Sequence, residues 1–150
     1  PIFHSRLSPF IIGSSSPFCK NLQTTDIKTE VFPGFPTDMQ QVFTVLLAKA
    51  NGISTVTETI YESRFKSAEL INTMGGKMKI KDNVLTIHGP VELKGKELYI
   101  PDLRGGAALV LAALIADGTT YLDNITLLLR GYEDIVEKLQ NVGAKIKIVE

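Results

Sequence analysis

The amino-acid sequence predicts an α/β protein made of two repeated βαβαβ units, and three observations carry that expectation. Strand-like and helix-like periods alternate from Asp26 to the end of the chain. The same order of motifs then occurs twice, since Gly118 follows Gly52 by 66 residues and Arg130 follows Arg64 by 66. Beyond the second helix of each unit the spacing becomes 68, as from Gly75 to Gly143 and from Ile80 to Ile148, so the later copy carries two extra residues. Periods this long are not solenoid repeats. They fit a domain assembled from duplicated supersecondary units around shared central helices, here with unit boundaries at about 26–90 and 91–150.

Composition narrows the function. A chain of 150 residues, 44% hydrophobic and 21% charged, has enough material for one globular core. Sixteen basic and sixteen acidic side chains give zero formal net charge, which argues against electrostatic capture of nucleic acid or membrane and points to a small partner. The single cysteine, Cys19, excludes a disulfide framework and a multi-cysteine metal site, and favours a reducing, cytoplasmic compartment. His4 and His88 form no ligand pattern, so no metal site is expected. The longest apolar run, Ala107 to Ala116, is about half of a membrane span, and Phe10-Ile11-Ile12 is too short for a secretory signal.

In chain order, residues 1–25 carry Pro1, Pro9, Pro17 and the run Ser14-Ser15-Ser16 without a period of 2 or 3.6, and read as an irregular arm. The missing initiator methionine fits a fragment, and processing would look the same. Ile27 to Phe32 reads as a strand. Pro36, with fixed φ and no N–H, suits the start of a helix over 37–50, with Thr37 or Asp38 as its cap and Asn51-Gly52 as its stop. Ile53 to Glu58 is β-rich, Phe65 to Met74 is a helix stopped by Gly75-Gly76, and Lys77–Lys81 with Val84–His88 makes a hairpin around Asp82-Asn83. The second unit repeats the order: strand 97–101, helix 105–116, strand 119–124, helix 132–141, strand 145–149. Val42–Leu47 and Ala107–Ile115 are apolar all round, which marks them as the buried central helices with N-termini pointing the same way.

Shifted by 66, Asp38 corresponds to Arg104, and both open a central helix, while Arg64 and Arg130 open the second helix of each unit. Equivalent places in a pseudo-symmetric domain cluster at one end. One acid and three guanidiniums are therefore expected to converge. Arginine pairs carboxylate or phosphate oxygens bidentately and helix N-termini add free N–H donors, so the cluster suits a small anion, with Gly105-Gly106 allowing close approach to the backbone. Singly, Asp38 reads as a helix cap and each arginine as a solvated side chain. Jointly they read as a base beside an anion site, for proton abstraction coupled to a phosphorylated substrate.

Four segments carry a resemblance: Phe35-Pro36-Thr37-Asp38-Met39-Gln40, Thr57-Glu58-Thr59-Ile60-Tyr61-Glu62-Ser63-Arg64-Phe65, Pro101-Asp102-Leu103-Arg104-Gly105-Gly106-Ala107 and Arg130-Gly131-Tyr132-Glu133. In order and nearly without gaps from Ile27 to Glu150, the chain resembles the C-terminal part of the UDP-N-acetylglucosamine enolpyruvyl transferases, the 1-carboxyvinyltransferases of peptidoglycan synthesis. The resemblance implies transfer of the enolpyruvyl group of phosphoenolpyruvate to the 3-hydroxyl of the UDP-sugar, without a cofactor. It implies a fold of two domains with three such units each, of which this chain holds two units of one domain.

By that resemblance Asp38 matches the carboxylate that accepts the sugar hydroxyl proton. Thr37, Ile60 and Tyr61 fall at UDP-sugar contacts, Ile60 through its backbone, and Arg104 and Arg130 match arginines that hold the phosphoenolpyruvate-derived groups, with Arg64 at the same cleft. Departures accompany the match. Ser67 stands where a histidine is usual and Leu129 where an aspartate precedes the arginine, and neither Lys20-Asn21 nor Cys19 has the family's flanking sequence. The related 3-phosphoshikimate 1-carboxyvinyltransferases share the fold, but their Lys-Glu-Ser-Asp-Arg type segment is not found here. Half of the site lies in the absent domain, which another chain would have to supply, so the isolated chain is expected to bind substrate poorly and turn over undetectably. A competing class is a non-catalytic remnant or assembly module. With one unit absent, open apolar surface is expected to favour self-association or marginal folding.

Overall fold

A computed structural model describes residues 10–13, 21–62 and 64–149, and in it the repeat becomes two four-stranded sheets. The first unit contains β2 (Ile27–Lys28), α1 (Thr37–Leu47), β3 (Gly52–Thr57), α2 (Lys66–Thr73), β4 (Met78–Lys81) and β5 (Val84–Gly89). The second contains β6 (Glu97–Tyr99), α3 (Leu103–Ile115), β7 (Thr119–Asp123), α4 (Thr126–Gly131), α5 (Ile135–Asn141) and β8 (Lys145–Ile148). Both sheets begin with a parallel pair, β2 with β3 and β6 with β7, as a βαβ crossover requires.

The first sheet runs β2-β3-β5-β4 and closes with the expected hairpin, with Asp82 in the left-handed region at φ 54°. The second runs β6-β7-β1-β8, where β1 is Phe10–Gly13. This corrects the reading of residues 1–25 as irregular, because four of them form a strand between β7 and β8, antiparallel to both. Ile12 lies opposite Thr120 and Ile146, and like its counterpart Ile87 in β5 it is fully buried. Burying such a side chain contributes about 1.5–3 kcal/mol. Cys19, Lys20 and His4 lie outside the described residues.

Other differences are local. The strand foreseen over 27–32 ends at Lys28, after which Thr29 makes a bridge to Phe35, and Pro33, which has no N–H, sits in the turn between them. The helix foreseen over 132–141 starts only at Ile135, as α5, and is preceded by the short, unforeseen α4, from which a left-handed Asp134 at φ 52° separates it. The stops repeat faithfully. Gly52 and Gly118 after the central helices, and Gly75 and Gly143 after the second ones, all have positive φ, which glycine adopts without a Cβ penalty.

The core lies between the sheets and the two central helices. From α3, Ala108, Leu109, Val110, Ala112 and Ala113 are buried, and α1 contributes Val45 and Leu47 together with buried Gln40, Gln41 and Thr44. Small residues let the helices approach closely. A Cβ on Gly105 would stand 3.2 Å from Gln41 Oε1, and one on Gly106 would stand 2.8 Å from Ile100 Cγ2. The absence of a Cβ at this pair therefore lets α3 pack against Gln41 of α1 and against Ile100. On the other side of α1 an apolar groove of about 380 Å³ opens, walled by Val42, Phe43 and Leu46 of α1, Leu111 and Leu114 of α3, and Leu139 of α5. No helix among the described residues is long and apolar enough to cross a membrane.

Candidate functional site

The N-termini of the central helices meet at one end of the molecule. Pro36, extended at φ −71° and ψ 133°, precedes α1, and Thr37 and Asp38 are its first two residues. No side chain caps α1, so Asp38 is not the capping residue that its position allows. Its carboxylate faces sideways instead: Arg104 Nη2 donates to Oδ2 at 3.0 Å and Arg64 Nη1 to Oδ1 at 3.3 Å. Asp38 and Arg104, 66 residues apart, are thus repeat-related partners in direct contact. A guanidinium at the positive end of α3 is unfavourably placed by itself, and the carboxylate offsets that. Asp102 caps α3, accepting from Gly105 N at 2.8 Å.

These contacts set the charge states. The Arg104 hydrogen bond, with the field of both guanidiniums, holds the Asp38 carboxyl below its ordinary value of 3.8 against the opposing effect of desolvation, which is second only to that hydrogen bond. Asp38 in turn, with Tyr132 second, favours the charged form of Arg104. Two guanidiniums and two helix N-termini surround one carboxylate, which leaves the site electropositive and open, with Asp38 half exposed at 53%.

Of the four arginine and aspartate positions expected to converge, the structure brings three together. Arg130 is exposed in the last turn of α4, and among the described residues it makes no ion pair or hydrogen bond. Its surroundings are nevertheless close to the cluster, because a Cβ on Gly131 would collide with Leu103 and Tyr132 acts on Arg104. Leu129, where an acid would orient Arg130, is 40% exposed and offers no acceptor. Ser67 is buried and donates to Gln41 Oε1 at 2.7 Å, so it links α2 to α1.

Thr37 sits within the network: its hydroxyl donates to Glu58 Oε2 at 2.9 Å and accepts from Arg64 Nη1 at 2.8 Å. Tyr61 lies under Arg64, the guanidinium carbon 4.2 Å from the ring centroid. The Ile60 amide already donates to Glu58 Oε1 at 2.8 Å, which leaves its carbonyl as the backbone group open to a ligand. Glu58 and Tyr132 were not singled out from the sequence. The signal for Glu58 was its period: Ser54, Val56 and Glu58 share the inward face of β3 and its continuation, and all three are buried. Among the described residues no cluster of three His, Cys, Asp or Glu side chains could hold a metal.

Comparison with known proteins places this geometry. A family model described as EPSP synthase (3-phosphoshikimate 1-carboxyvinyltransferase) matches residues 9–139, a span that takes in β1, the first unit and the second unit as far as α5. The chain belongs to this enolpyruvyl transferase family. Among its enolpyruvyl transferase relatives, UDP-N-acetylglucosamine 1-carboxyvinyltransferase 2 of Listeria monocytogenes serotype 4b (strain F2365) is 50% identical over 127 residues, covering 85% of this chain and 30% of the relative. The protein of the same name from Bacillus subtilis (strain 168) is 48% identical over 127 residues, with the same shares. The crystal structure of the enolpyruvyl transferase NikO from Streptomyces tendae superposes with a TM-score of 0.80 at 34% identity, over 88% of this chain and 31% of that one. The chain thus spans 30% of the length of the curated relatives it matches.

Proposed function

We propose that this chain is the part of a UDP-N-acetylglucosamine 1-carboxyvinyltransferase that presents the base to the sugar hydroxyl, in peptidoglycan synthesis in the cytoplasm. The observation that carries the reading is Asp38 held between Arg64 and Arg104 at the paired helix N-termini, in a chain about half identical to proteins of that name. Asp38 takes the proton of the 3-hydroxyl as that oxygen bonds to C2 of phosphoenolpyruvate and the C2–C3 double-bond pair takes up a proton at C3. In the elimination that follows, C3 gives up a proton, the double bond re-forms and phosphate leaves from C2. Arg104, Arg64 and Arg130 hold the carboxylate and phosphate of that substrate. Thr37, Ile60 and Tyr61 line the sugar side.

The ion pairs of the free site explain how a weak base becomes adequate. Clamped by two guanidiniums, Asp38 is a stable anion with little affinity for a proton. Anionic substrate groups compete for the same guanidiniums, and each contact they take over returns basicity to Asp38 as the hydroxyl arrives. The remaining length of the relatives supplies the rest of the electrostatic stabilisation, so the isolated chain binds but does not turn over. The reading as a 3-phosphoshikimate 1-carboxyvinyltransferase rests on the family description alone and is the weaker one.

Titration of UDP-N-acetylglucosamine into the chain, followed by calorimetry or NMR with Asp38→Ala as control, tests the proposal. Weak binding that the substitution abolishes is expected; a folded chain that does not bind overturns it in favour of a non-catalytic remnant. The apolar groove along α1 supports self-association of this chain. A single monomeric species in sedimentation at high concentration would refute that part.

A further inference from the structure

Glu58 is the most completely hydrogen-bonded side chain near the site, and nothing in the proposed reaction uses it. It follows β3 and is 3% exposed. Its backbone is held on both sides by Asn83, with Glu58 N donating to Asn83 O at 2.8 Å and Asn83 Nδ2 donating to Glu58 O at 3.1 Å. The carboxylate accepts four hydrogen bonds. Oε1 receives Thr29 Oγ1 at 2.8 Å, Ile60 N at 2.8 Å and Tyr61 N at 3.1 Å, and Oε2 receives Thr37 Oγ1 at 2.9 Å. A buried carboxylate is costly unless its oxygens are satisfied, and here every neighbour is a donor.

The consequence lies one step further on. A threonine hydroxyl has one proton, and Thr37 commits it to Glu58, so the lone pairs of Thr37 Oγ1 are what Arg64 Nη1 meets at 2.8 Å. The same Nη1 reaches Asp38 Oδ1 at 3.3 Å. On its other side the Arg64 guanidinium lies over the ring of Tyr61, whose amide Glu58 also holds. Both supports of Arg64 therefore trace back to one buried carboxylate.

We infer that Glu58 is a positioning residue of the site: by fixing the direction of the Thr37 hydroxyl and the backbone of Tyr61, it holds Arg64 against Asp38. The second unit provides the contrast. Sixty-six residues on, the places of Glu58 and Thr37 are taken by Asn124 and Leu103. Asn124 bonds the Ile100 carbonyl at 3.0 Å and Leu103 has no hydroxyl, and Arg130, the counterpart of Arg64, is exposed and unanchored among the described residues.

This inference rests on the reading of Asp38 as the proton acceptor, but its test needs no ligand. Asp38 is titrated by carboxyl-carbon NMR in the full chain, facing Arg64 and Arg104, with Tyr132 on the far side of Arg104. The Arg64 side-chain nitrogen signals are recorded alongside. Glu58→Gln reverses the relay, since the amide donates to Thr37 Oγ1 and turns the threonine proton toward Arg64. Thr37→Val removes the relay, and Thr37→Ser keeps it. Expected are a wild-type midpoint below 3.8, an upward move toward that value in Glu58→Gln and in Thr37→Val, no further move in the double variant, and a wild-type midpoint in Thr37→Ser. Folded Glu58→Gln and Thr37→Val proteins with unmoved Asp38 midpoints and an unchanged Arg64 signal overturn it. Should Glu58→Gln fail to fold, the Thr37→Val and Thr37→Ser pair decides: equal midpoints refute the relay, unequal ones support it. Failure of the chain to bind the UDP-sugar would leave these outcomes as they are.

Discussion

In the first unit, the strand that completes the sheet follows its neighbour through the turn at Asp82-Asn83; in the second, the equivalent place is filled by β1 from the beginning of the chain. The two sheets have the same order of parallel and antiparallel pairs and the same inward isoleucine, Ile87 or Ile12. What differs is the source of the strand. A sheet position is defined by the edges it must satisfy and the side chains it must bury, and a segment of any sequence separation fills it if its alternation fits. The site shows the reverse lesson. There the backbone is duplicated, yet only the first unit adds Glu58, Thr37 and Tyr61 around its arginine, so matching folds do not give matching chemistry.

The most severe test of the structural equivalence is at the two isoleucines. Ile12→Ala and Ile87→Ala should each cost about 2–5 kcal/mol in chemical denaturation, the range for emptying a fully buried aliphatic site. Hydrogen exchange separates them: Ile12→Ala should release the amides of β8 while β4 and β5 stay protected. Unchanged protection of β8 in that variant would mean that β1 does not hold the second sheet together.

A smaller effect distinguishes the two arginines on Asp38. Because Asp38 titrates below its ordinary value of 3.8 in the folded chain, its ion pairs contribute stability above that pH, and the contribution is lost as pH falls through the lower folded value. With Asp38 half exposed, the amount is about 1 kcal/mol or less. Arg104→Leu should remove more of this acid dependence than Arg64→Leu, since the Arg104 hydrogen bond is the largest cause of the shift. Urea midpoints at neutral pH and near pH 3 measure it, and the opposite ranking would place Arg64 as the main partner. The smallest effect is at Lys94 and Asp117, which pair at 2.7 Å with both side chains exposed. Asp117→Asn should leave the melting temperature unchanged, and a clear drop would show that this surface pair bears weight.

How much was legible in the sequence follows from the range of each signal. Thr37–Leu47, Leu103–Ile115 and the hairpin were readable because apolar period, glycine stops and turn residues all lie within a few positions of one another. β1 was not, since four residues with partners at the other end of the chain leave no local mark. α4, six residues long, is too short to display a period. The contact of Asp38 with Arg104 and Arg64 could be foreseen from the repeat, which converts sequence spacing into spatial equivalence. Glu58 could not be weighed so easily: an acid at an inward strand position looks like a solvated one until Thr29, Thr37 and two amides are seen pointing at it.

The place of β1 also has a meaning in time. During synthesis the N-terminal residues leave the ribosome first, and the first unit has every strand of its sheet within a continuous stretch that can pair as it emerges. The strand made earliest in the second sheet must wait, unpaired, for β7 and then for β8. Until then its edges stay unpartnered and open to another nascent chain, so the interval between the synthesis of β1 and that of β8 leaves this sheet exposed to misassembly.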